Sequence, residues 1–266
     1  MIREITIGQY YQTDSVLHRL DPRVKLVATI LYIISLFLYR SPQTFAVAGV
    51  FLAVCIILSK VPFHYIVRGL KAVVILMLFT AAMNLFFMPG KVIFTYGILK
   101  ITKEGVEAAV YMAFRLVMLI LGSSLMTLTT TPTQLTDAME KLLWPLTKIG
   151  APVHEVAMMM SIALRFIPIL LEETDKIMKA QAARGADFES GNVFHRVRSM
   201  VPILVPLFLA AFRRAGDLAM AMEARCYQGG EGRTKMKPLR YAMRDTVAYL
   251  ILIAYITMIV LAGKLL

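Results

Sequence analysis

Residues 106–127 read Val106-Glu107-Ala108-Ala109-Val110-Tyr111-Met112-Ala113-Phe114-Arg115-Leu116-Val117-Met118-Leu119-Ile120-Leu121-Gly122-Ser123-Ser124-Leu125-Met126-Thr127. A helix that crosses a bilayer needs roughly 20 mostly apolar residues, and this run supplies them with two charges, Glu107 at its start and Arg115 well inside it. Hydrocarbon offers the backbone no hydrogen-bond partner, so such a run must close its own bonds as a helix. The stretch therefore decides the class: this chain folds in lipid.

Working outward, four more runs reach or approach that length, at 24–39, 43–58, 70–88 and 246–262. Composition agrees: 58% of residues are hydrophobic and the mean hydropathy is +0.68, above the roughly 45–50% apolar content of soluble domains. The 29 Lys+Arg against 17 Asp+Glu give a net charge of +12. In a soluble protein that balance would raise nucleic acid as a partner; in a membrane protein it reads as basic cytoplasmic loops, and no nucleic acid is expected. Cys55 and Cys226 stand far apart, so neither a disulfide framework nor a metal-ligand spacing is present, and no cofactor is implied. The first apolar run has no small-residue cleavage site behind it and is expected to stay in the mature protein.

Local signals place the helix starts. Asp21-Pro22 reads as an N-cap followed by proline at the first helical position, with Arg23 and Lys25 expected to reach lipid phosphates. Arg40-Ser41-Pro42 reads as a tight turn that folds the first two spans into a hairpin.

Residues 129–245 differ in kind, because they hold most of the acidic residues of the chain. Two apolar stretches lie within them. The stretch 156–171 carries Arg165 and Pro168, and the stretch 200–212 is short and carries Pro202 and Pro206, so both read as buried or interfacial helices. Counting them as spans, seven in all, is the alternative. The expected architecture is an all-α membrane protein of about five transmembrane helices plus a cytoplasmic helical coupling module with two long helices. It divides into a membrane region at 1–128, the module at 129–245 and a C-terminal span at 246–266. Arg3, Arg19, Arg23, Lys25, Lys60, Arg68 and Lys71 flank the spans on the side of the N-terminus and the module, which places both in the cytoplasm. The loop with Lys91, Lys100 and Lys103 runs against that rule, partly offset by Glu104 and Glu107.

Within the module, two helices end alike, at Ala183-Arg184-Gly185 and at Ala224-Arg225-Cys226. A cation at a helix C-terminus is favoured by about 0.3–1 kcal/mol. Small neighbours leave the guanidinium accessible, and its planar fork grips a carboxylate in bidentate fashion. One such ending is an ordinary cap; two suggest a pair of acidic grooves on partner proteins. Ala211, Ala215 and Ala219 fall at i, i+4 spacing, which lets another helix approach closely. Arg213 and Asp217 are spaced for an ion pair on one helix face.

Enzymatic readings find little support. There is no G-x-x-x-x-G-K-[ST]; Gly229-Gly230-Glu231-Gly232-Arg233 lacks the spacing and reads as a flexible loop. His154-Glu155 has Met158 where H-E-x-x-H needs its second histidine, and no G-x-S-x-G occurs. A self-contained carrier or channel is the stronger rival, with Arg115 as its pathway candidate. Asn84 is read as bonding a neighbouring helix, and no internal repeat of spans supports the carrier.

With those residues in view, the chain resembles the EcfT/CbiQ family, the transmembrane T component of energy-coupling factor (ECF) transporters. The likeness rests on His18-Arg19-Leu20-Asp21-Pro22-Arg23-Val24-Lys25-Leu26, Thr130-Thr131-Pro132-Thr133-Gln134-Leu135, Ala163-Leu164-Arg165-Phe166-Ile167-Pro168, Ala180-Gln181-Ala182-Ala183-Arg184-Gly185 and Arg213-Arg214-Ala215 through Met222-Glu223-Ala224-Arg225. The resemblance implies that the helices ending at Arg184 and Arg225 are coupling helices, each engaging one of two ABC-type ATPase subunits. It implies a separate substrate-binding S component in the membrane, with Met158, Met159, Met160 and the apolar faces of 156–171 and 200–212 either packing against it or lying at the membrane surface. It also implies uptake of vitamins or metals across a prokaryotic plasma membrane, with ATP hydrolysis on the partners and no enzymatic activity in this chain. The second tip departs from the family pattern, since Cys226 stands where glycine is commoner.

Overall fold

The computed structural model describes residues 10–39, 41–96, 99–186, 188, 193–230, 236 and 238–264. Arg3, Arg40 and the Glu231–Arg233 part of the glycine-rich loop lie outside the described residues. The described residues are nearly all helix and divide into two compact units, residues 10–138 with 239–264 and the described residues of 139–238.

In the larger unit, α1 (Pro22–Leu38) starts as the sequence predicts: the Asp21 side chain accepts the backbone N–H of Arg23 and Pro22 occupies the first turn. Helix α2 (Pro42–Ser59) is capped by Ser41, whose hydroxyl accepts the Thr44 N–H at 3.3 Å. Helix α3 (Phe63–Phe87) bends by 57° between Phe63–Lys71 and Val73–Phe87. The apolar run at 70–88 corresponds mainly to the second limb, Val73–Phe87. Helices α4 (Lys103–Thr129) and α8 (Met243–Lys264) complete the bundle.

A small antiparallel hairpin, β1 (Val92–Tyr96) with β2 (Leu99–Thr102), joins α3 to α4. The sequence reading treated this connection as a loop. Its β-branched and aromatic residues, Val92-Ile93-Phe94-Thr95-Tyr96, were the available signal.

Packing explains the order of the bundle. Tyr32, Leu36, Phe45, Ala48, Leu52, Leu252, Tyr255 and Ile259 form one core between α1, α2 and α8. Within it the Phe51 and Tyr255 rings stack with centroids 4.2 Å apart. The Ser35 hydroxyl donates to the Tyr32 carbonyl, leaving the Tyr255 hydroxyl to donate to Ser35 at 2.6 Å. Gly122 of α4 lies so close to the Tyr32 ring that a Cβ there would sit 2.6 Å from it, so glycine is what lets α4 join α1. Apolar side chains facing outward, such as Ile75, Phe79 and Phe87, suit a helix solvated by lipid.

Two intramembrane polar groups are now placed. The Arg115 guanidinium stands over the rings of Phe37 and Phe45, 5.0 and 5.8 Å from their centroids. Asn84 donates to the Thr80 carbonyl of its own helix at 2.8 Å, instead of reaching a neighbouring helix.

Helix α5 (Pro132–Leu143) opens on a reciprocal cap. The Thr131 hydroxyl accepts the Gln134 N–H, and the Gln134 side chain accepts the Thr131 N–H. The Thr131-Pro132-Thr133-Gln134 motif is thus a helix start.

The smaller unit contains a short 3-10 turn at Trp144–Ile149, then α6 (Val153–Ala183) and α7 (Val193–Ala224). Each long helix fuses an apolar stretch to a charged end and continues through its prolines, Pro168 in α6 and Pro202 and Pro206 in α7. By length and composition, α6 joins α2, α4 and α8 among the helices able to cross a membrane, with bent α3 as a fifth. Hydropathy had set α6 aside, and it had counted α1, whose 17 residues fall just short of that measure.

Candidate functional site

The ends of α6 and α7 share one backbone design. In α6, the N–H of Gly185 donates to Ala182 and that of Ala186 donates to Gln181, both at 3.0 Å. In α7, the N–H of Cys226 donates to Glu223 at 2.8 Å and that of Tyr227 to Met222 at 3.0 Å. This paired pattern closes the last carbonyls and needs a left-handed residue just past the cap. Gly185 takes it with φ +87° and Cys226 with φ +54°. Arg184 and Arg225 are therefore the cap residues of two equivalent turns, and the cysteine adopts the conformation that glycine adopts at the first tip. Sequence reasoning saw the missing glycine as extra bulk; its consequence is a left-handed cysteine.

Both tips face open space. Ala183, Arg184, Gly185, Ala224, Arg225 and Cys226 are all exposed, and nothing lies within 4 Å of a Cβ built on Gly185. Neither guanidinium has a hydrogen-bond or ion-pair partner among the described residues.

Behind the tips the two helices are joined. The Arg214 guanidinium donates from Nη2 to Glu173 Oε2 at 3.0 Å, across an offset of 41 residues. The same offset separates Arg225 from Arg184. Ala211 and Ala215 line a shallow pocket of about 210 Å³ with Ile162, Phe166, Leu170 and Leu218, so these two small residues face α6. Ala219 is exposed and outside that pocket. Met158 is half-buried and Met159 exposed, on a different stretch of α6. Among the described residues the ion pair of α7 is Arg214 with Glu173, not Arg213 with Asp217. On α7, Leu204, Val205, Phe208, Leu209 and Phe212 form a run of exposed apolar side chains.

The base of α6 is fixed separately. His154 Nδ1 lies 2.9 Å from Glu140 Oε1 at the end of α5. Gly230 passes so close to the His154 ring that any Cβ there would overlap it. The His154-Glu155 dipeptide is accounted for by this packing, and among the described residues no group of three His, Cys, Asp or Glu could hold a metal ion.

The basic residues at the start of α1 behave differently. Lys25 is only 8% exposed, and its ammonium donates to the carbonyls of Thr129 at 2.8 Å and His18 at 3.2 Å. Arg23 donates twice to Asp21 and stacks over the Tyr241 ring at 3.8 Å. Both point into the protein instead of toward lipid phosphates, which corrects the sequence expectation. Asp245 of α8, 1% exposed, accepts the N–H groups of Asp21 and Ala242 at 2.8 and 2.7 Å. Burial pulls the Asp21 carboxyl upward, but the Arg23 hydrogen bonds and charge outweigh it and hold the group below its ordinary value. His18 Nε2 donates to the Tyr11 carbonyl at 2.9 Å, which leaves Nδ1 to face the Ser15 hydroxyl at 2.7 Å. Burial depresses the His18 pKa below 6.5. This knot ties the starts of α1 and α8 to the end of α4.

Comparison with known proteins adds the following. Residues 13–236 match the family described as CbiQ, cobalt transport protein. The chain is 56% identical to the energy-coupling factor transporter transmembrane protein EcfT of Clostridium kluyveri, with 94% of this chain and 93% of that one covered. It is 50% identical to the protein of the same name from Ruminiclostridium cellulolyticum, covering 98% of each. The Bacillus subtilis protein of that name is also 50% identical, over 92% of this chain and 93% of its own length.

Proposed function

Because this chain belongs to the CbiQ/EcfT family of transporter membrane proteins, we propose that it is the coupling component of an energy-coupling factor importer. In this reading the chain transmits ATP-driven motion from two cytoplasmic ATPase subunits to a substrate-binding membrane partner, for uptake of vitamins or related micronutrients. The observation that carries it is the twin geometry of the tips: two exposed arginines, each the cap of the same closing turn, with open space around the left-handed residue that follows.

The physical chemistry favours an acidic groove as the seat of each tip. The closing turns leave the backbone satisfied, so the guanidinium has its donors free for a carboxylate. ATP chemistry belongs to the partners in this account, and the chain contributes position and stiffness. The exposed apolar run of α7 and the methionines of α6 supply the surface for the substrate-binding partner.

The test is a charge reversal. Arg184→Glu or Arg225→Glu is expected to abolish co-purification with the ATPase subunits, or to uncouple ATP hydrolysis from uptake, while membrane insertion is unchanged. Transport by the purified chain without any ATPase would overturn the proposal in favour of a carrier.

A further inference from the structure

Helices α1, α2, α4 and α8 and the segment before α1 enclose a cleft of about 460 Å³, within the size range of sites for small molecules. Its walls are apolar, built by residues such as Leu20, Ala28, Cys55, Leu125, Val247 and Ile251. Two cations line it, Lys25 and Arg244.

These cations are not equivalent. Lys25 is already held by the Thr129 and His18 carbonyls. Arg244 is exposed and has no hydrogen-bond or ion-pair partner among the described residues. The acidic groups at this end are engaged elsewhere: Asp14 with Arg19, Asp21 with Arg23, and Asp245 with the N–H groups of Asp21 and Ala242. Both α1 and α8 begin here, so the positive ends of two helix dipoles add to the free guanidinium.

The shape is that of an amphiphile. From Arg244 to Leu252 the cleft follows α8 for about 12 Å. A further helix, about 10–12 Å across with its side chains, is too wide for that volume, while an extended hydrocarbon chain fits. Water would find too few polar partners on these walls. We propose that this cleft binds one anionic phospholipid, with an acyl chain in the apolar slot and the phosphate at Arg244.

The experiment uses the full chain reconstituted in phosphatidylcholine vesicles. A trace lipid with a photoactivatable acyl chain is added as either phosphatidylglycerol or phosphatidylcholine, and labelled peptides are mapped by mass spectrometry. Label is expected to concentrate on residues 16–20, 122–129 and 244–252, above the lipid-facing Ile75 and Phe79 of α3. The phosphatidylglycerol probe should label the cleft about fivefold more than the phosphatidylcholine probe, the scale expected for one arginine beside a headgroup that is net anionic instead of zwitterionic. Arg244→Ala should remove that preference and leave labelling in place, while Ala28→Phe should fill the cleft and lower labelling. Should Ala28→Phe fail to fold, Ala248→Leu replaces it, with thermal melting as the check on both. Label spread evenly over α3 and the cleft, or equal cleft labelling by the two lipids in the unmodified chain, would overturn the proposal.

Discussion

At the start of α1, Arg23 and Lys25 are drawn inward and bonded, whereas at the ends of α6 and α7, Arg184 and Arg225 are held outward with their donors unused. The residue types are similar and all four stand at helix termini. The difference lies in what surrounds them. The knot offers carboxylates and carbonyls from three helices, so burying a cation there is compensated by short hydrogen bonds. The tips offer only small residues and closed turns. Charge in the first region holds helices together; the tip guanidinium groups in the second meet no partner among the described residues. A rule that reads basic residues beside a span as lipid contacts would have merged the two.

The sharpest way to break this contrast is to remove the anchor of the knot. Asp245→Ala leaves the N–H groups of Asp21 and Ala242 without their acceptor and should destabilise the detergent-solubilised protein by about 3 kcal/mol. The charge reversals at Arg184 and Arg225 should leave thermal melting nearly unchanged. Equal melting losses at both regions would erase the distinction.

A smaller effect distinguishes the two tips from one another. Cys226→Gly relieves a left-handed side chain and should stabilise the smaller unit by about 1 kcal/mol, while Gly185→Ala should cost about the same. Opposite signs from the pair, read by hydrogen exchange at the helix ends, would establish that the tips share one backbone design. Smaller again is the Arg214–Glu173 bridge, which is partly exposed. A double-mutant cycle with Arg214→Ala and Glu173→Ala should give a coupling of about 0.5–1 kcal/mol.

The last effect belongs to the knot and depends on pH. His18 is neutral in the fold because burial holds its pKa below 6.5, while the unfolded chain takes up a proton near that value. Its contribution is therefore complete above about pH 6.5 and is lost as pH falls through the lowered folded value. His18→Gln, which keeps a donor for the Tyr11 carbonyl, should flatten the fall in melting temperature on acidification. An identical fall in the variant would assign it to other groups.

Much of the architecture was legible because lipid imposes a strong and local rule. The apolar runs located α2, α4 and α8 to within a few residues, and Asp21-Pro22 and Ser41-Pro42 marked helix starts that the structure keeps. What escaped was non-local or conformational. Asp21 meets Asp245 across 224 residues of chain and Lys25 meets the Thr129 carbonyl across 104, pairings that no periodicity encodes, and so Lys25 was read as a surface cation. Val92–Tyr96 and Leu99–Thr102 pair as strands, where hydropathy is silent. Pro168 misled as well: it sits inside a continuous helix long and apolar enough to cross a membrane, because a proline removes one hydrogen bond without obliging a long helix to end. At the tips the arginines and their small neighbours were visible in the sequence, while the left-handed turn at Cys226 needed backbone angles to be seen.

Glu173 precedes Arg184 by the same number of residues as Arg214 precedes Arg225, so the bridge between α6 and α7 lies about three helical turns, roughly 16 Å, behind each tip. The two arms beyond this contact are therefore of equal length, and on the coupling role proposed above a push at either tip would reach the bridge through the same lever.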